Sequence, residues 1–360
     1  MNFLKSLVFI IVIGGFIALS SCDSDNGGGE LTKKTGVLIV NEGNFLAGNG
    51  SISFYDEEQM TITNNVVKTA NDGSEIGATV QSIYIHDGVG YIICNGSDKI
   101  EFISADEFKY LANPVTDISV PRYMTTVGDK GYITCWGPFD ANYGLPDSYI
   151  AVMDPSSMSI VDSLACGSGP EGIIASGNKL YVANSYETTV SIIDLSDNST
   201  TKIDFDAAPV QLAQGTSGTI WVSLSSGWQY PADKAGIQAI NTATMEKGTF
   251  VPVMNVSGPI SIDSDGENIY ILSVEPWDGN IPNQASEIHV YNTLTKSLRT
   301  NSLISGEDFY GLGYNGTTDK IYVTDSKAFA GPGQMYIYDA TGLKLDEQVT
   351  GIGPNGTSFK

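Results

Sequence analysis

The chain has 360 residues, with 41 acidic against 18 basic side chains and a formal net charge of −23. That balance argues against nucleic acid and anionic membrane surfaces as partners, because both repel a polyanion at long range. The acidic residues are scattered rather than blocked, which reads as a solvated surface.

Residues 1–21 read as a lipoprotein signal peptide. Lys5 supplies the basic start, and the apolar run 7–17 is too short for a comfortable membrane span. Leu19-Ser20-Ser21-Cys22 resembles a bacterial lipobox, which places cleavage before Cys22 and the lipid on that cysteine. Residues 22–35 are Gly-rich and polar and form a flexible tether. The acidic residues directly after Cys22 resemble the export signal of lipoproteins displayed on the outer face of the outer membrane. The expectation is a chain that meets the membrane only through its lipid anchor and faces the cell exterior.

The pattern of the folded part is clearest over residues 177–205. Strands are predicted at Lys179–Asn184 (KLYVAN), 189–195 (TVSIIDL) and 201–205, with a further strand just before them at 170–175. Leu180 and Val182 point opposite to Tyr181 and Ala183, so the inner strands are apolar on both faces and need a neighbouring sheet on each side. The unit recurs from Gly36 (GVLIVNEG…GSISFYD) and at 88–104, 128–154, 218–242, 267–293 and 319–340, seven copies in all. The spacing, roughly 40 to 50 residues, is that of a repeat architecture. Four strands per copy favour a propeller. Short leading strands are predicted at 122–127, 171–175, 210–213, 260–262, 309–313 and 355–359. The first copy has no strand before Val37, whereas the last is followed by an extra one, 353–360. The expected fold is all-β: a seven-bladed β-propeller of four-stranded antiparallel blades over residues 36–360, its ring closed by the C-terminal strand. Length alone suggests two or three domains; the repeats make it one.

Catalytic signatures are sparse. His86 lies in the turn IHDGVG and His289 inside the strand EIHVYN, neither in a zinc or general-base context. Cys94 and Cys135 occupy equivalent positions in neighbouring blades, and Cys166 makes the number odd, so at most one disulfide joins them. No GxSxG, P-loop or CxxC is present. Glu275, Asp278 and Glu287 share one loop, where paired carboxylates could do acid–base work or hold calcium, but their spacing matches no EF-hand.

The information concentrates in the loops between the second and third strands of each blade, counted outward. Two are short, 95–99 and 184–188. Five are long: 41–50, 136–148, 225–236, 274–286 and 325–333. A propeller needs only short turns, so elaboration of one face suggests a binding surface. Trp136, Trp228 and Trp277 lie in these loops, joined by Phe45, Phe139, Tyr143, Tyr186, Tyr230 and Phe329; Trp221 reads as core. The aromatics either form a ligand platform or pack on one another to stiffen the loops. Asn44, Asn142, Gln229, Asn280 and Asn283 are the polar neighbours. Arg122, Glu171, Gln211 and Asp308 sit at the entries of the leading strands, nearer the central channel.

Repeats such as NKLYVANSYETTVSIID followed by GSGPEGI resemble those of the YncE-like lipoprotein propellers, over nearly all of 36–360. The opening VLIVNEGNF…GSISFYD is similar to the lipoprotein branch of gut-type Gram-negative bacteria, which includes the BtuG-like type. That resemblance implies a protein that captures vitamin B12 and related corrinoids on its loop face and hands them to a TonB-dependent outer-membrane transporter. The corrinoid is then a transported ligand rather than a resident cofactor, and no enzymatic step is expected. The resemblance carries over to the loop face, with no individual corrinoid contact matched. The ligand-binding residues expected are the nine aromatics Phe45, Trp136, Phe139, Tyr143, Tyr186, Trp228, Tyr230, Trp277 and Phe329, with Asn44, Asn142 and Arg122. A glycan-binding lipoprotein of a polysaccharide-uptake system fits the same loops. A propeller lyase or lactonase and an adhesive surface protein are the remaining readings.

Overall fold

The fourth repeat shows why the sequence folds as it does. Pro170–Ser176, Lys179–Asn184, Thr189–Asp194 and Ser199–Asp204 lie side by side from the ring centre outward, all antiparallel. The two middle strands are almost wholly buried, while the outermost is almost wholly exposed and reads STTKID. The Asp that ends the third strand has a local job: Asp194 accepts hydrogen bonds from the backbone N–H and hydroxyl of Ser196, fixing the turn to the outer strand. The equivalent residue does the same in every blade. Asp56, Ser104, Asp154, Asn241, Asn292 and Asp339 accept from the N–H groups of Glu58, Glu107, Ser156, Ala243, Thr295 and Thr341.

The structure, a computed structural model, describes residues 35–227, 230–276 and 284–360. Seven antiparallel sheets make a β-propeller, as expected from the repeats. Blades are numbered here from the N-terminus. Blade 1 contains Val37–Asn41, Ser51–Asp56 and Thr61–Thr63, and its innermost strand is Pro354–Phe359 from the other end of the chain. In blade 2, Val80–His86, Val89–Cys94 and Lys99–Ser104 form the sheet, and the outer position is reduced to two bridges, Ile100 to Val115 and Ile103 to Tyr110. Among the elements absent from the sequence reading are the leading strand Val80–His86, the one-turn helix Val66–Ala70 in the link before it, and the strand Ile304–Glu307, a fifth in blade 6.

The core lies between blades. Tyr91, Phe102, Ile133, Cys135 and Met153 interlock between blades 2 and 3, and Tyr270, Leu272, Phe309, Ile321 and Val323 between blades 6 and 7. Six second strands carry an aromatic residue at the same position: Tyr91, Tyr132, Tyr181, Trp221, Tyr270 and Tyr322, all buried. Cys94 and Cys135 are buried free thiols and Cys166 a half-buried one, all pushed up to about 12 chiefly by burial. The long loops and the links between blades open on one face.

Candidate functional site

Every innermost strand is interrupted by a bulge close to its entry from the loop face. The pairing with the second strand jumps between Val80 and Ser82, Pro121 and Met124, Pro170 and Ile173, Pro209 and Leu212, Val256 and Ile260, and Phe309 and Gly311; in blade 1, Asn355 is left out between Pro354 and Gly356. A bulge leaves its extra residues out of the ladder and re-aims their side chains. The residues left out include Gln81, Arg122, Tyr123, Glu171, Gln211, Ser257, Tyr310 and Asn355, and these line a cavity of about 630 Å³ at the centre of the ring. The loop residues Ser226, Glu275, Gln284, Asp308 and Phe329 form its rim.

Arg122 pairs with Glu171 within this cavity. Its Nε and Nη2 donate to the two Glu171 carboxylate oxygens at 2.9 and 2.7 Å. Both side chains are nearly buried, 13% and 7% exposed. Burial works against the Arg122 charge, but Glu171 carries its pKa above the ordinary guanidinium value. The Trp136 ring lies over the guanidinium at 4.2 Å, a cation–π contact in a partly desolvated place. Trp136 in turn meets Phe139 at 6.1 Å and Tyr186 at 5.3 Å, edge to face. Its indole Nε1 is buried and finds no hydrogen-bond partner among the described residues.

A second polar group faces it from blades 7 and 1. The Tyr310 hydroxyl donates to Glu42 at 2.8 Å, and the Tyr310 ring packs edge-on against Phe329. Asn44 Nδ2 donates to the Phe329 carbonyl at 3.1 Å, tying the loops of blades 1 and 7 together. Burial raises the Glu42 pKa, with the Tyr310 hydrogen bond and Arg122 acting the other way. Gln81 bridges two neighbours, donating to the Tyr123 hydroxyl at 3.1 Å and accepting from Asn95 at 2.9 Å. Burial lifts the Tyr123 hydroxyl to about 12, so it stays protonated.

The expected site residues therefore separate into groups. Arg122, Trp136, Phe139 and Tyr186 form one contiguous cluster, and Asn44 and Phe329 belong to the opposite corner. Tyr230 and Tyr186 line one small cleft with Val210 and Ser226. Phe45 and Tyr143 are the most exposed aromatics among the described residues, each 81% exposed; Asn142 lies beside Tyr143, its N–H donating to Asp140. Trp228 and Trp277, together with Gln229, Asp278, Asn280, Asn283 and Cys22, lie outside the described residues. Of the carboxylates grouped by sequence, Glu275 lines the rim, whereas Glu287 lies in the strand Ala285–Asn292 and accepts from Ser302. His86 ends the strand Val80–His86 rather than lying in the turn, and His289 hydrogen-bonds Ser273 at 3.0 Å. Glu171, Gln211 and Asp308 do reach the cavity. Sequence reasoning missed Gln81, Tyr123, Tyr310, Asn355 and Glu42. For all but Glu42, which lies in a loop, the available signal was the first two residues after the leading Pro, Val or Phe of the innermost strands, which is where the bulge falls.

A family model described as "Domain of unknown function (DUF5074)" matches residues 35–351. No match was found among curated proteins. Among solved structures, the fold is similar to a quinoprotein alcohol dehydrogenase-like protein from Bacteroides thetaiotaomicron (TM-score 0.67, 16% identity, 91% of this chain and 78% of that one). It is also similar to a candidate 6-phosphogluconolactonase from Bacteroides uniformis (TM-score 0.64, 12% identity, 91% and 100%). Kuenenia stuttgartiensis hydrazine synthase matches with a TM-score of 0.63 and 15% identity over 79% of this chain and 92% of that one. At these identities the likeness shows the fold alone.

Proposed function

The chain belongs to the DUF5074 family, and we propose that its propeller is a capture protein: a surface lipoprotein anchored through Cys22 that holds a corrinoid-type nutrient on its loop face and passes it to a TonB-dependent outer-membrane transporter, without chemistry. The observation that carries this reading is the coincidence, on one face, of the cavity of about 630 Å³ with aromatic clusters beside it: Phe329 and Tyr310 in its lining, and Trp136, Phe139 and Tyr186 joined to it through Arg122. Ligand sites of this kind are mostly apolar concavities with a few convergent polar groups. A corrinoid is larger than the cavity, so its macrocycle would lie across the mouth against Phe139, Tyr186 and Phe329. Its peripheral amides would meet Gln211 and Gln284. The resemblance of the repeats to YncE-like and BtuG-like propellers supports the ligand class. A glycan, whose sugar rings stack on Tyr and Phe as readily, is the second reading, favoured by the exposure of Phe139 and Tyr186.

The test is calorimetric titration of the chain, carrying Cys22→Ser, with cyanocobalamin. One-to-one binding is expected, and Tyr186→Ala should weaken it roughly thirtyfold, as loss of a hot-spot aromatic does, while leaving the unfolding midpoint nearly unchanged. No heat at tens of micromolar would discard the corrinoid, and retardation in native gels containing polysaccharide would then move the assignment to glycans.

A further inference from the structure

The charge inventory of the cavity deepens the capture reading and rests on it. Three carboxylates line the cavity, Glu171, Glu275 and Asp308, against one cation, Arg122. The charge of that cation is matched: its Nε and Nη2 go to the two Glu171 oxygens and its face to Trp136. Lys327, beside the rim residue Ala328, is paired with Asp325. Behind Tyr310, Glu42 adds a fourth carboxylate, near enough to Arg122 and Glu171 that both act on its ionisation. Asp308 accepts the Gln284 N–H at 3.0 Å and so keeps its carboxylate fixed at the rim. An anion entering this cavity meets net repulsion, because Arg122 is already matched by Glu171 and no other cation stands among the described lining residues, in a concave place where field lines are concentrated. A group that donates hydrogen bonds, charged or neutral, meets acceptors.

We propose that the central cavity is a charge-selective subsite: it takes a neutral or cationic, hydrogen-bond-donating arm of the captured ligand, such as a primary amide or an amine, and excludes carboxylate- and phosphate-bearing arms. The aromatic rim holds the ligand's flat body, and the ring of bulge residues chooses which arm enters.

The experiment uses three small probes of one size, phenethylamine, phenylacetamide and phenylacetate, titrated into the nitrogen-labelled full chain with Cys22→Ser. The backbone amide signals of Gln211 and Tyr310 report the cavity directly. The amine and the amide should each bind at least about tenfold more tightly than the carboxylate. Adding salt should narrow that gap, and the Glu275→Gln/Asp308→Asn double variant should bring the carboxylate within roughly threefold of the amide. Asn accepts the Gln284 N–H as Asp308 does and tolerates the left-handed backbone found there, φ 53°. Phenylacetate binding as well as phenylacetamide, a gap that survives the double variant, or no perturbation by any probe up to roughly 20 mM would each overturn the subsite. The cyanocobalamin titration does not depend on these probes, so capture and arm selection fail separately.

Discussion

Arg122 illustrates how a single residue can be both the obvious binding candidate and the centre of an internal contact network. As the one cation among the described residues lining the cavity it invites the role of ligand anchor, yet its Nε edge is given to Glu171 and its face to Trp136. Its work is positional: it holds the indole against which Phe139 and Tyr186 rest. Removing one partner of a nearly buried pair leaves the other charge without compensation, which costs about 3–5 kcal/mol. Arg122→Ala should lower the urea unfolding free energy by that amount, and the near-ultraviolet circular dichroism of the Trp136 cluster should weaken. Glu42 has the opposite sign. Burial raises its pKa above the unfolded value of 4.5, so the folded chain holds its proton to higher pH than the unfolded chain does. The stability tied to that proton is present below pH 4.5 and lost as pH rises through the folded value. Glu42→Gln, which can still accept from Tyr310, should therefore raise the urea midpoint at pH 7, with the gain shrinking as the pH is lowered towards 4.5.

At the level of strands and turns, the bulges shape the cavity and the alternation carries the fold. The pair KLYVAN and TVSIID was legible because its residues are apolar on both faces and its second strand ends in an Asp that caps the following turn. The bulges were not legible, because a bulge is a mismatch between two strands, and the run Pro121-Arg122-Tyr123-Met124 looks the same whether or not its partner keeps step. Val80–His86 was hidden for a related reason: VQSIYIH runs into a turn sequence and no proline marks its start. The helix Val66–Ala70 is too short for a helical period to show. The self-packing of Trp136 with Phe139 and Tyr186 joins the loop after Cys135 to the loop after Asn184, a distance in sequence that no local pattern spans. Bulging also crowds the inner strands against one another. A Cβ on Gly311 would fall 2.6 Å from the Asn355 backbone in the next innermost strand, whereas one on Gly356 would meet nothing within 4 Å. Gly311→Ala should cost about 1–3 kcal/mol in urea unfolding, and Gly356→Ala should change little.

For the whole molecule the decisive feature is that the ring is closed by strands from opposite ends of the sequence. Pro354–Phe359 pairs along Val37–Asn41, and the side chain of Lys360 continues to the neighbouring blade, donating to the Ala105 carbonyl at 2.5 Å and to Asp106 at 2.7 Å between the rings of Phe54 and Phe108. A propeller leaves unpaired the outer edge of each blade and the inner edge that faces the central channel, and here the outer edges are short or polar, as in STTKID. Deleting residues 353–360 would remove the innermost strand of blade 1 and expose Val37–Asn41, five buried residues of sequence VLIVN, as an unpaired inner edge. An apolar, uncharged edge is a template for pairing with another chain. The truncated chain should therefore elute as self-associated species on size-exclusion chromatography and unfold over a broader urea range. A synthetic peptide of residues 353–360 added in excess should return it to the monomer, because it binds the folded ring and not the unfolded chain. Since Asn355 also lines the cavity and donates to the carbonyls of Val80 and Gln81, ligand capture should disappear with the strand and return with the peptide. A monomeric truncation that still captured its ligand would show instead that the other six blades hold the cavity without the closing strand.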